Sequence, residues 1–80
     1  MHLNSDVKRK KLLKCIKKLS KIYNLEFTEG KKHTKIKCIH NGKITMVPRH
    51  KIIKQYTAND IIKQLENMGF TDKDLENCIK

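Results

Sequence analysis

An α+β domain is predicted, in the order helix, three strands, helix, with a short helix closing the chain. Three observations carry that prediction. Apolar residues recur at helical spacing over residues 5–23 and again from Thr57. Between these stretches the pattern switches to alternation, at 25–28 and 33–39. An Asn41-Gly42 pair then separates two alternating runs, which is the composition of a type I′ hairpin turn. Two helices can cover only one face of a three-stranded antiparallel sheet, so both are placed on the same side. The 80 residues form a single domain with one core, near the size at which burial only just offsets chain entropy.

Taken in order, SDVKRKKLLKCIKKLSKIY places Leu12, Ile16, Leu19 and Tyr23 on one stripe, flanked by Leu13 and Ile22. Lysines fill the other side, and Ser5 or Asp6 is the predicted N-cap. Leu25 and Phe27 alternate with Glu26 and Thr28 in a first strand that Gly30 ends. HTKIKCI is the second strand and KITMV the third, closed by Pro48, which has no N–H for a ladder interior. Thr57 is the predicted cap of the second long helix, with Asp60 as a weak capping box and Ile61, Ile62, Leu65 and Met68 facing inward. Gly69 occupies the left-handed position after that helix, with Phe70 placed to touch Leu65. TDKDLENCIK repeats the pattern on a smaller scale, with Thr71 as cap.

The charge is one-sided. Residues 1–54 carry a net +13 and residues 55–80 a net −2, within a total of +11. Such a field favours a polyanion, because each neutralised phosphate releases condensed counterions. RNA, DNA and an anionic membrane surface all satisfy it. No apolar run approaches the length of a bilayer span, and MHLNSDVKRKK lacks the apolar stretch of a signal peptide. Cys15, Cys38 and Cys78 are odd in number and form no CxxC, which predicts free thiols in a reducing cytoplasm.

A two-residue Asn41-Gly42 loop makes His40 face Lys43, and continuing outward His33 faces His50. Strand parity puts His33 on the side of Lys35 and Lys37, with Arg49 adjacent to His50. Two imidazoles are then predicted among fixed positive charges. The same parity puts Ile36, Cys38 and Val47 on one sheet face and Ile39, Ile44 and Met46 on the other. The uncovered face exposes apolar side chains, a feature of protein interfaces.

With EGKKHTK, NGK, VPRHK, a Thr-capped helix and IIKQL in this order, residues 8–70 resemble the HicA-type mRNA interferase toxins. Residues 71–80 extend beyond that core. The resemblance implies a fold similar to a double-stranded-RNA-binding domain and metal-independent cleavage of mRNA in the cytoplasm. It also implies a HicB-type antitoxin that covers the active site, and His33 as the catalytic histidine. Two departures stand out. The family often carries Gly-Ser-His or Gly-Gly-Lys-His where this chain has Gly30-Lys31-Lys32-His33, and commonly Gly-Thr where this chain has Tyr56-Thr57.

RNA supplies its own nucleophile, the 2′-hydroxyl. Cleavage needs that proton removed, the phosphorane charge balanced and the leaving 5′-oxygen protonated. Imidazole suits either proton step because its ordinary pKa, about 6.5, lies near working pH. Lys32, Lys35, Lys37 and Arg49 are the candidates for RNA phosphate binding, and His50 is either a second proton carrier or a phosphate donor. No cofactor or metal is expected, since no Cys or His pair has zinc-ligand spacing. His2, at the terminus, and His40, at the turn, read as surface residues. A non-catalytic RNA-binding module, held by charge and shape alone, is the alternative from another class. A membrane-surface domain built on the first helix is a third, though the hairpin and paired caps downstream fit it poorly.

Overall fold

The helical and alternating stretches resolve, in a computed structural model describing residues 1–79, into eight elements. These are β1 (Val7–Lys8), α1 (Arg9–Tyr23), β2 (Leu25–Glu29), β3 (His33–Cys38), β4 (Ile44–Pro48), β5 (Ile52–Ile53), α2 (Gln55–Met68) and α3 (Asp72–Ile79). Strands β2, β3 and β4 form an antiparallel sheet in that spatial order. A second, two-stranded sheet pairs β1 with β5, Val7 opposite Ile53, and has no counterpart in the sequence reading. Two-residue strands are too short to show a period, so only the tertiary pairing defines them.

Ile36, Cys38, Thr34, Val47 and Thr45 point from the sheet into the core, where they meet Leu12, Ile16 and Leu19 of α1 and Ile61, Ile62 and Leu65 of α2. Full burial of one such aliphatic side chain contributes about 1.5–3 kcal/mol, which is what holds both helices on the sheet. The two buried threonines are satisfied, Thr34 by the Arg9 guanidinium and Thr45 by donating to Gln64. Ile22, predicted to flank the buried stripe of α1, is instead 69 % exposed.

Helix starts differ from the predicted caps. Residues 7–8 are drawn into the β1–β5 ladder, so α1 begins at Arg9 and neither Ser5 nor Asp6 caps it. Asp6 accepts a hydrogen bond from the backbone N–H of Gln55 (2.7 Å), and α2 therefore starts two residues before Thr57. The cap comes from the far end of the chain, which no local motif reveals. The closing of α2 follows the prediction: Gly69 has φ 114°, its N–H bonds to Glu66 and that of Phe70 to Leu65. Thr71 Oγ1 accepts from the Asp74 N–H (3.1 Å) and caps α3.

The hairpin register also differs. A type I′ turn needs positive φ at both central residues, but only Gly42 has it, at 72°. The Gly42 N–H bonds to the Cys38 carbonyl and the Cys38 N–H to the Lys43 carbonyl, leaving residues 39–42 as the loop. Asn41 spends its side chain elsewhere, accepting from the Lys43 N–H and donating to the Met68 carbonyl at the end of α2. Pairing therefore places His33 opposite Pro48 rather than His50, and Ile36 opposite Thr45. The shift is by two residues, so every side chain keeps its predicted face. Ile39, Ile44 and Met46 fall on the face the helices leave uncovered and are exposed.

Two of the three cysteines are not free. Antiparallel packing of α3 against α1 brings Cys15 and Cys78 to a Cα–Cα distance of 5.1 Å, and they form a disulfide. That spacing is ordinary for such a bond. Only Cys38 is a free thiol, and it is buried. The thiol argument for a reducing compartment therefore fails. Among the described residues, no helix is long and apolar enough to cross a membrane.

A second tie holds α3. The Tyr23 ring stacks on Phe70 with centroids 4.2 Å apart, and its hydroxyl donates to Asp74. That hydroxyl, followed by Thr71, holds the Asp74 carboxyl below its ordinary 3.8. A depressed carboxyl contributes stability above its unfolded pKa and loses it as pH falls through the folded one. Acid below about pH 3.8 is therefore expected to loosen α3 and abolish the near-UV dichroism of Tyr23 before the sheet signal is lost. Titration between pH 5 and 2 checks this, and simultaneous loss of both signals counts against it.

Candidate active site

The turn ahead of His33 is built by backbone bonds and one guanidinium. The Gly30 N–H donates to the His33 carbonyl (2.9 Å), closing residues 30–33. Arg49 then grips the outside of that turn. Its Nε donates to the Gly30 carbonyl (2.7 Å) and a terminal nitrogen pairs with Glu29 Oε2 (2.9 Å). Its backbone N–H donates to the Lys32 carbonyl (3.0 Å). The Glu29 carboxyl is held below its ordinary range, first by the Thr34 hydroxyl and then by Arg49. Arg49 is thus a clamp on the loop that presents His33. The sequence marked it only as a phosphate ligand, a role left to the donors its clamp does not use.

Gly30 leaves little room for a side chain: a Cβ there would lie 3.0 Å from the His33 carbonyl oxygen, which would have to give by a few tenths of an ångström. Gly30→Ala is expected to push that backbone aside and destabilise the fold by about 1–2 kcal/mol in urea unfolding, the usual cost of overpacking. A variant as stable as the parent shows instead that the turn yields freely.

His33 is exposed at the first position of β3, opposite Pro48. Its side chain lines two cavities along the outer edge of β4. One, of about 420 Å³, is also lined by Pro48, His50, Ile52, Tyr56 and Thr57. The other, of about 430 Å³, runs between β4 and α2 and includes Thr45, Met46, Asp60 and Gln64. The predicted pairing of His33 with His50 does not form, but both residues line the first of these cavities. They are not partners in a strand ladder, because the β3–β4 pairing ends at Pro48 and the chain goes on to form β5.

The predicted cations divide into two groups. Lys35 and Lys37 lie on the open sheet face with His33 and are exposed. Lys37 is registered beside Glu26 of β2, and Lys35 beside Thr28. Lys32 is exposed in the clamped turn. A larger groove, about 840 Å³, is lined by Arg9, Lys10, Lys14, Lys17, Arg49 and Lys51, so the clamp residue Arg49 also borders it. It has the charge to hold a phosphate backbone but no histidine among its lining residues, whereas both smaller cavities are lined by His33.

Three residues of the site escaped the sequence reading. Arg9 donates to the Pro48 carbonyl (2.9 Å) and to Thr34 Oγ1 (2.5 Å), fixing the β3–β4 end from α1. Asp60, read as half of a capping box, contributes a carboxylate to the cavity that His33 lines. Tyr56 is 73 % exposed beside His33 and His50. Arg9 and Asp60 become visible only through tertiary packing. Tyr56 carried one signal, as a bulky aromatic where the resembled family commonly has glycine. Among the described residues, no three His, Cys, Asp or Glu side chains gather as a metal site. No protein family, curated protein or solved structure matches the chain.

Proposed function

We propose that the protein is an endoribonuclease that cleaves mRNA through the RNA 2′-hydroxyl without a metal, the toxin of a toxin–antitoxin pair resembling the HicA type. The observation that carries this reading is the placement of His33: an exposed imidazole on a clamped turn, lining a cavity with His50, with Lys32 exposed in the same turn and Lys35 and Lys37 exposed along the same strand face. The three-stranded sheet with α1 and α2 on one face is compatible with a double-stranded-RNA-binding-domain-like fold. In the proposed reaction, His33 removes or delivers the proton at the scissile phosphodiester. His50 serves as second proton carrier or phosphate donor, and Lys32, Lys35, Lys37 and Arg49 balance charge on the RNA. The exposed apolar side chains of Ile39, Ile44 and Met46, set among cations, suit an acidic-rimmed antitoxin of HicB type. An mRNA substrate puts its action in the cytoplasm, where the Cys15–Cys78 pair would be held as thiols.

The α1 groove favours a second reading, a module that binds RNA by charge without chemistry. Incubating pure protein with RNA in EDTA separates the two: new RNA ends support the enzyme, and intact but bound RNA supports the binder.

A further inference from the structure

We propose that Tyr56 is a stacking platform for an unpaired nucleobase next to the scissile phosphate, so that the substrate is single-stranded RNA at this point. The proposal rests on the ribonuclease reading above. The chain has two tyrosines with opposite surroundings. Tyr23 is spent on the fold, half-buried on Phe70 with its hydroxyl on Asp74. Tyr56 is the most exposed of the large hydrophobic side chains, at 73 %, and packing gives no reason for an aromatic there.

Its position supplies the reason. Tyr56 belongs to the first turn of α2, a rigid support whose preceding residue, Gln55, is pinned by Asp6. Its side chain lines the same cavity as both imidazoles and Lys54, beside the half-exposed Ile52. A flat π-face beside two imidazoles, with the Lys54 ammonium 3.9 Å from Asp6 at the same rim, matches one ligand chemistry, a planar base attached to a phosphate. Within a duplex both faces of each base are covered by its neighbours, so this platform can be used only by an unstacked base. Because every base has a π-face, stacking alone discriminates weakly among the four.

The test uses the His33→Ala protein, which keeps the RNA intact, and short single-stranded RNA as the probe. Adding Tyr56→Ala is expected to weaken its binding about 5- to 150-fold, the range for loss of one base–aromatic stack. Tyr56→Phe is expected to bind within about threefold of the parent, and blunt duplex RNA to be insensitive to either change. Tyr56→Trp introduces the only tryptophan in the chain, and its fluorescence should quench as single-stranded RNA binds. Unchanged binding in Tyr56→Ala, or equal losses in Ala and Phe variants, overturns the platform. The two readings fail separately. Cleavage by an otherwise native Tyr56→Ala at the parental rate and affinity removes the platform and leaves the ribonuclease. Tyr56-dependent binding without any cleavage by the native chain removes the ribonuclease and leaves a base-stacking site.

Discussion

His33→Ala protein is expected to bind RNA as the parent does and to cleave it at least about 10²-fold more slowly, the lower bound for losing one positioned acid or base. The side chain is exposed at the start of β3 and adds nothing to the core, so thermal stability should change by no more than about 0.5 kcal/mol. Loss of cleavage therefore cannot be ascribed to unfolding. His50→Ala is the informative companion. Cleavage reduced to a similar extent indicates two proton carriers, whereas weaker RNA binding with chemistry retained indicates a phosphate donor. Parental cleavage by purified His33→Ala, measured on labelled RNA in EDTA, removes His33 from the mechanism.

Reducing the Cys15–Cys78 bond is expected to lower stability by about 4 kcal/mol, the loop-closure entropy for a sequence separation of 63 residues. For a domain of this length that corresponds to a fall in Tm of roughly 15–30 °C. Cys78→Ser should reproduce the effect of dithiothreitol, and dithiothreitol should then do nothing further. Cys38 is the internal control, since it is buried and unpaired in either state. The reduced chain keeps Leu75 and Ile79 in the core and the Tyr23–Asp74 bond, so α3 should remain docked at 25 °C. A parent whose Tm ignores dithiothreitol contradicts the assignment of the bond.

The elements with sustained period were legible in the sequence. The apolar stripe of α1 and the alternation of β3 and β4 each repeat often enough to name their type, and parity put Ile36 and Met46 on opposite faces, though which face the helices cover needed the tertiary packing. The Gly69 closure was legible because left-handed geometry demands a particular residue. What escaped depends on distant partners. Asp6 reads as a cap for the helix that follows it, yet serves α2, because β1 pairs with β5 and carries it there. The Asn41-Gly42 pair has the right composition for a two-residue turn, but an open carbonyl at Met68 competes for the Asn41 amide and a longer loop results. The cysteines have no motif, and only the packing of α3 on α1 makes them neighbours. For the candidate site, residue type and parity anticipated that His33 opens β3 on the exposed face of the sheet. The arrival of His50 at the same cavity was anticipated for the wrong reason, and the clamp by Arg49 needed the coordinates of the turn.

Pro48 has a consequence beyond marking the end of β4. Position 48 belongs to the same alternate set as 44 and 46, whose backbone N–H groups point away from β3 toward the open side of the sheet. Proline has no such hydrogen, so the outermost donor of this edge is missing just where neighbouring Ile44 and Met46 would otherwise invite another chain to zip on. The ring is harmless to the inner ladder, which continues past it through Arg49 and Lys32. One residue thereby removes a hydrogen-bond donor that an added strand would need at this half-apolar border.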